Sequence, residues 1–160
     1  MEIRKIEPRD FARVAQLENE NWTAESTPII MNSSAESIMD RVLKGMNYLL
    51  ATENGKIVAI LDYNQRHALV AERKVIAFGL MTIKNQRRKG IAQRLIQYFL
   101  ELAKKEGYRK ISIEVLSTNS PAIHFYEKLG FICEGRQKAE FYLNDHYVDN
   151  LFYAYFLEED

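Results

Sequence analysis

Hydrophobic positions divide the chain into eleven segments. MEIRKIE alternates weakly, and Ile3 and Ile6 predict a short first strand running into Pro8, a residue suited to a helix start. Phe11, Val14, Ala15 and Leu17 follow at near-helical spacing, polar NENWTAESTP interrupts the pattern, and SAESIMDRVLKGM restores it. Ile38, Val42 and Met46 share one stripe of this second helix, with Gly45 near its end. NYLLATENGKIVAILDYN holds two apolar runs joined by Asn54-Gly55, which both tolerate positive φ and so predict an antiparallel hairpin. KVIAFGLMTI is apolar on both faces, as a central strand is, and Gly79 inside it marks a bulge or a close approach to the backbone.

From Gly90 to Glu106, Ile91, Leu95, Tyr98, Phe99 and Leu102 form one helical face, with Gly107 as the stop. KISIEVL alternates like a strand, with Ile111, Ile113 and Val115 opposite Ser112, Glu114 and Leu116, so strand, helix and strand read as a parallel crossover. In TNSPAIHFYEKLGF, Ser120 reads as the helix cap, Pro121 as the first helical residue and Gly130 as the stop. The aromatic, β-prone remainder, with a turn at Asn144-Asp145, predicts a closing antiparallel pair. The expected order is β-α-α-β-β-β-α-β-α-β-β, a mixed α/β sheet in one domain over residues 1–160, without repeats.

NQRRKGIAQRL places Arg87, Arg88 and Lys89 directly ahead of Gly90 and the first turn of a helix. A helix N-terminus already carries partial positive charge, so three cations there conflict unless an anion joins them. A pyrophosphate suits the place: Gly90 lets it approach the backbone, small Ala92 leaves the next amide accessible, and the cations line the rim. The plain alternative is a solvated basic turn. Neither GxGxxG nor GxxxxGK followed by Ser or Thr is present, which argues against the usual dinucleotide and nucleotide loops.

Twenty-two basic residues balance twenty-two acidic ones, so a general nucleic-acid binder is not expected. Cys133 is the only cysteine and reads as packing, while His67, His124 and His146 are scattered, so no disulfide and no metal site is predicted. The N-terminus lacks the apolar segment of a signal peptide, and no apolar run has the length to cross a bilayer. The expectation is a soluble cytoplasmic protein with no membrane partner, and its strand-rich, aromatic C-terminus leaves room for a homodimer.

RRKGIA, Arg87 to Ala92, matches the signature Gln or Arg, two residues, Gly, one residue, Gly or Ala. It resembles the GNAT superfamily of acyl-CoA-dependent N-acyltransferases, and NSPAIHFYEKLGF and the element order resemble that family over nearly the whole chain. The resemblance implies a largely antiparallel mixed sheet with helices on both faces and a splayed central parallel pair. It implies that Arg87, Arg88, Lys89, Gly90, Ile91, Ala92 and Gln93 hold the pyrophosphate of acetyl-CoA, while the backbone of Leu80, Met81 and Thr82 pairs with the pantetheine arm. Asn119 would contact that arm, and Tyr126 would protonate the leaving thiolate. Glu114 stands where related ribosomal-protein acetyltransferases carry a base; a strand glutamate facing outward or paired with a cation is the other reading.

By the same resemblance, the acceptor is a primary amine of a small molecule or of a protein, and its site is built from the first helices, the loop after the third strand and the closing hairpin. Trp22, Tyr63, Phe141, Tyr142 and Tyr147 read as pocket lining or as core. Glu18, Glu20, Glu25 and Asp62 read as a solvated acidic face, with attraction of a cationic amine as the alternative. A non-catalytic acetyl-CoA-binding module is the alternative to an enzyme.

Overall fold

The computed structural model describes residues 1–157; the last three, inside the expected domain span, lie outside the described residues. Strands β1 (Glu2–Lys5), β2 (Asn47–Glu53), β3 (Lys56–Asn64), β4 (Val75–Thr82), β5 (Lys110–Leu116), β6 (Ile132–Leu143) and β7 (His146–Phe156) form one sheet in the order β1-β2-β3-β4-β5-β7-β6. Helices α1 (Phe11–Asn21), α2 (Ala35–Leu43), α3 (Ile91–Lys105) and α4 (Ser120–Lys128) complete the expected order.

The turns act as the residues dictate. Asn54 and Gly55 take φ of 50° and 74° between β2 and β3, and Asn144 and Asp145 take 50° and 62° between β6 and β7. Such a two-residue turn with both φ positive matches the twist of the flanking strands. Alternation then sorts the strand residues between two cores. Leu49, Ala51 and Leu61 join Leu95, Ile96 and Phe99 of α3 and Tyr126 of α4 on one face. Tyr48, Leu50, Ile60 and Met81 join Val14 and Leu17 of α1 and Ile38 of α2 on the other.

Three local expectations need correction. The α4 cap is Asn119, whose Oδ1 accepts the amide N–H of Ala122 at 3.3 Å, so the helix starts at Ser120 and Pro121 is its second residue. Asparagine accepts as well as serine does at this position, and the frame shifts by one. Tyr98 is exposed, because α3 buries Ile91, Leu95, Ile96, Phe99 and Ala103 as a narrower stripe. Cys133 is exposed on β6, the uncovered edge strand, rather than packed.

The central parallel pair comes apart. β4 and β5 pair only through Val75↔Lys110, Ile76↔Ile111 and Ala77↔Ser112. Beyond Ala77, β4 stays with β3 as far as Thr82↔Ala59, and β5 stays with β7 as far as Leu116↔Asn150. The two strands therefore diverge along their C-terminal halves, leaving the β4 backbone from Phe78 onward without a β5 partner. No helix among the described residues is long and apolar enough to cross a membrane.

Candidate active site

The divergence opens a cleft of about 990 Å³, at the upper end of the ~300–1,000 Å³ usual for ligand pockets. One wall is β4 from Phe78 to Thr82, and the other is Ile113 to Leu116 of β5 with Asn119, Phe125 and Tyr126 near or on α4. Gly90, Ile91, Ala92 and Gln93 close one end. Residues 21–29, from the last residue of α1 onward, and the β6–β7 turn with Asn150 close the other.

The α3 end has the geometry of an anion site. Gly90 is the N-cap at φ 76°, with no side-chain hydrogen bond to the helix, so the first-turn amides are left without a capping side chain. Arg88 is also left-handed, at φ 63°, and this double reversal turns the loop so that Arg87, Arg88 and Gly90 all line the cleft. Arg87 Nε donates to the carbonyl of Thr82 at 3.2 Å, tying the loop to the end of β4. Lys89 does not line the cleft; its Nζ donates to Gln86 Oε1 at 2.9 Å.

Tyr126 stands at the centre. Its ring is held by Phe125, Phe131 and Phe78, with centroids 5.2, 5.4 and 5.9 Å away, so its position is fixed by packing. Burial, and then the charge of Asp62, raise its phenol well above the ordinary value. It therefore keeps its proton at any physiological pH.

Glu114 lines the cleft with both oxygens engaged. Arg66 Nη2 donates to Oε1 at 2.7 Å and Asn150 Nδ2 donates to Oε2 at 2.8 Å. The Arg66 guanidinium also lies over the Phe152 ring, 4.9 Å from its centroid. Nothing in the sequence pattern singles out Arg66 or Asn150, a loop cation and a strand amide of ordinary kind.

The expected acidic face is not one surface. Glu18 is buried, with Oε2 accepting from Arg41 Nη2 at 2.7 Å and from Ser33 Oγ at 2.5 Å. Asp62 is partly buried beside Gly79, and Glu20 and Glu25 are exposed. Helix α1 turns Glu18 inward with its apolar stripe, and the β3 alternation turns Asp62 toward the same core as Ile60. Among the aromatics, Trp22 lines the cleft, Tyr63 is core, Phe141 is partly buried, and Tyr142 and Tyr147 stack on each other in solvent. Gly79 shows a close approach rather than a bulge: the β3–β4 register is unbroken, and a Cβ there would lie 2.9 Å from Asp62 Oδ2.

Comparison with known proteins decides which family this cleft belongs to. The family model described as "Acetyltransferase (GNAT) family" matches residues 11–131. The chain belongs to the GNAT family of acetyltransferases. Smu.2055 of Streptococcus mutans UA159 superposes with a TM-score of 0.94 at 36% identity, covering 99% of this chain and 100% of that one. The L-amino acid N-acetyltransferase AaaT of Escherichia coli is 27% identical over 95% of each chain. The yncA protein of Salmonella typhimurium, solved with its cofactor acetyl-CoA, shares the fold with a TM-score of 0.87 at 18% identity, over 100% of this chain and 95% of that one. As a GNAT acetyltransferase the chain is an acyltransferase, and its parted β4 and β5 are the splayed pair expected from the family.

Proposed function

We propose that this chain transfers the acetyl group of acetyl-CoA directly to a primary amine, and that the cleft between β4 and β5 is where donor and acceptor meet. The observation that carries the reading is the continuity of that cleft, from the uncapped start of α3, along the β4 edge that lacks a β5 partner, to Tyr126. The residues present fit the donor. First-turn amides and Arg87 and Arg88 suit a pyrophosphate, and the β4 edge at Leu80, Met81 and Thr82, which has no β5 partner, suits the amides of a pantetheine arm. Lys89 adds positive charge at the rim without lining the wall. Asn119 reaches the same wall while capping α4.

When bound, acetyl-CoA supplies an activated acyl group as a thioester. A β4 backbone N–H pointing into the cleft would polarise its carbonyl. Tyr126 donates the hydrogen bond, and finally the proton, that a departing thiolate needs. Its raised pKa makes transfer to a thiolate of pKa ~8.5 uphill unless a proton arrives from the newly acylated amine, so Tyr126 works as a relay in a concerted step. Glu114 is the carboxylate assigned to draw off the amine's first proton through water, and Arg66 must move off Oε1 for it to do so. Glu114→Gln should flatten the acidic limb of the pH–rate profile; an unshifted limb at normal rate removes it as base.

Support for an amine acceptor comes from AaaT, an L-amino acid N-acetyltransferase, and from the far end of the cleft, where Asn21, Glu25, Asn144 and Asn150 are among the lining residues. The Arg66–Glu114 ion pair favours the second reading, an acetyl-CoA-binding module without turnover. One experiment separates them: acetyl-CoA titrated by calorimetry, followed by free-thiol release across polyamines, amino acids, aminoglycosides and peptides. Saturable binding with thiol release on at least one amine is expected. Binding with no release on any shifts the function to the module, and no binding removes both.

A further inference from the structure

Across β2, β3 and β4 the register sets Tyr48, Asp62 and Gly79 in one row on the face covered by α1 and α2. Two residues beyond Ala77↔Ser112, the β5 residue in line with this row is Glu114, but there the strands have parted. The row therefore ends at the cleft, and its last member, Gly79, has no side chain. Asp62 uses that gap: a Cβ at residue 79 would sit 2.9 Å from Oδ2 and 3.2 Å from Oδ1. The carboxylate packs over Gly79, which lines the cleft, while Asp62 and Tyr48 stand behind that wall and do not themselves line it.

Other carboxylates of the fold and cleft have partners. Arg4 holds Asp10, Arg41 holds Glu18, Arg136 holds Asp149, and Arg66 with Asn150 holds Glu114. Asp62 forms no ion pair and no side-chain to side-chain hydrogen bond among the described residues. Beside it the Tyr48 hydroxyl, on a residue only 1% exposed, has no hydrogen-bond partner. The Tyr48 hydroxyl is withdrawn from water without a partner, and the partly buried Asp62 carboxylate keeps only a hydrogen bond from its own backbone, so each carries a desolvation cost. Arg41, the cation beside these carboxylates, is already committed to Glu18 and Ser33, so the cluster of Glu18, Asp62 and Arg41 keeps a net negative charge.

We infer that Asp62, with Tyr48 beside it, is the binding site for the cationic ammonium of the acceptor, reached from the cleft past Gly79. This rests on the acetyl-transfer reading and names what that reading leaves open, the group that recognises the acceptor. A protonated primary amine fits by chemistry: its charge completes the cluster, and its three N–H groups can serve the two carboxylate oxygens and the phenol oxygen. Acceptors without a cationic nitrogen are disfavoured at Asp62. Burial, and after it the charge of Glu18, push the Asp62 carboxyl up to about 6, with Arg41 opposing. The titratable groups facing it are Glu18 from α1, Arg41 from α2, Tyr48 from β2 and Tyr126 from α4. A cationic ligand would draw that value down again.

The test has a kinetic arm and a binding arm. With the best amine from the acceptor panel, Asp62→Asn should raise KM about tenfold or more, the loss of ~1.4 kcal/mol or more, with kcat changed much less. Acetyl-CoA affinity should stay within about twofold, ~0.4 kcal/mol. Tyr48→Phe, which removes an already unpaired hydroxyl without disturbing the core, should raise KM severalfold. Unchanged KM in Asp62→Asn overturns the inference, including when kcat falls. The binding arm follows the Asp62 carboxyl carbon by NMR in protein carrying 13C-labelled aspartate, assigned by its loss in Asp62→Asn. Butylammonium at 100 mM should lower its titration midpoint and 1-butanol should not; equal midpoints with both overturn the inference. Calorimetry with acetyl-CoA tests the functional reading separately, and the NMR arm decides on Asp62 even if that reading fails.

Discussion

At the α3 end of the cleft the groups that face inward are largely backbone: the uncapped amides after Gly90 and the β4 edge from Phe78 to Thr82. At the other end they are side chains drawn from distant segments, with Asn21 at the end of α1, Trp22 just after it, Glu114 on β5, and Asn150 on β7. Backbone can hold an invariant donor with few sequence requirements beyond glycine and small residues at fixed spacing. Side chains from separate elements can be exchanged without disturbing the fold. One fold can thus keep a common donor while changing its acceptor.

Tyr126 lies between the two ends, and its removal should have the largest effect. Tyr126→Phe keeps the ring contacts with Phe78, Phe125 and Phe131 and deletes only the hydroxyl. Turnover should fall about 100-fold or more, in the ~10²–10⁴ range of a positioned proton donor. Acetyl-CoA affinity, measured by calorimetry, should hold. Unchanged turnover with chemistry shown to be rate-limiting ends the proton-relay assignment and makes Tyr126 a core residue.

The acceptor end should also reveal itself through stability. Asp62 has its carboxyl at about 6 in the fold, against 3.8 for an unperturbed aspartate. A raised acid pKa means that the folded chain holds the proton longer than the unfolded chain does. Ionisation therefore costs nothing below about pH 4, grows through the interval, and is complete above about pH 6. At ~1.36 kcal/mol per unit the cost approaches ~3 kcal/mol, an upper figure because the side chain is partly accessible. Asp62→Asn should be stabilised by up to that amount at pH 8, and little at pH 3.5, in urea unfolding. A gain equal at both pH values would show that its charge is not strained by the fold. Stability lost to hold a ligand is the pattern expected at a binding site.

The same division explains what could be read in advance. The Asn54-Gly55 hairpin, the α3 stripe and the loop at Gly90 are local, since each is set by residues within a few positions of one another. The parting of β4 from β5 is not local; it appears only as pairing that stops after Ala77. Asp62 reads from the sequence as part of a solvated acidic face because alternation does not say whether its face is covered, and α1 and α2 cover it. Arg66 and Glu114 are 48 positions apart, and nothing near either one announces the other. Asn119 and Ser120 are both able caps, and their order was decided by one hydrogen bond.

The donor end should respond to backbone shape rather than to side-chain volume, and Gly90 separates the two. At φ 76° it has open space where a Cβ would go, with nothing within 4 Å, so a substitution meets strain but no clash. A β-branched residue is a poor occupant of this region, and the left-handed conformation costs an L-residue ~1–2 kcal/mol. Gly90→Val should therefore weaken acetyl-CoA binding about tenfold, the loop leaving its left-handed turn and the first α3 amides losing their common direction. Gly90→Asn should lose much less, because asparagine enters the left-handed region more readily. Neither change touches Asp62, so KM for the amine at saturating acetyl-CoA should hold in both. If valine and asparagine weaken acetyl-CoA equally, bulk rather than conformation controls the donor end, and the contrast between a backbone end and a side-chain end fails.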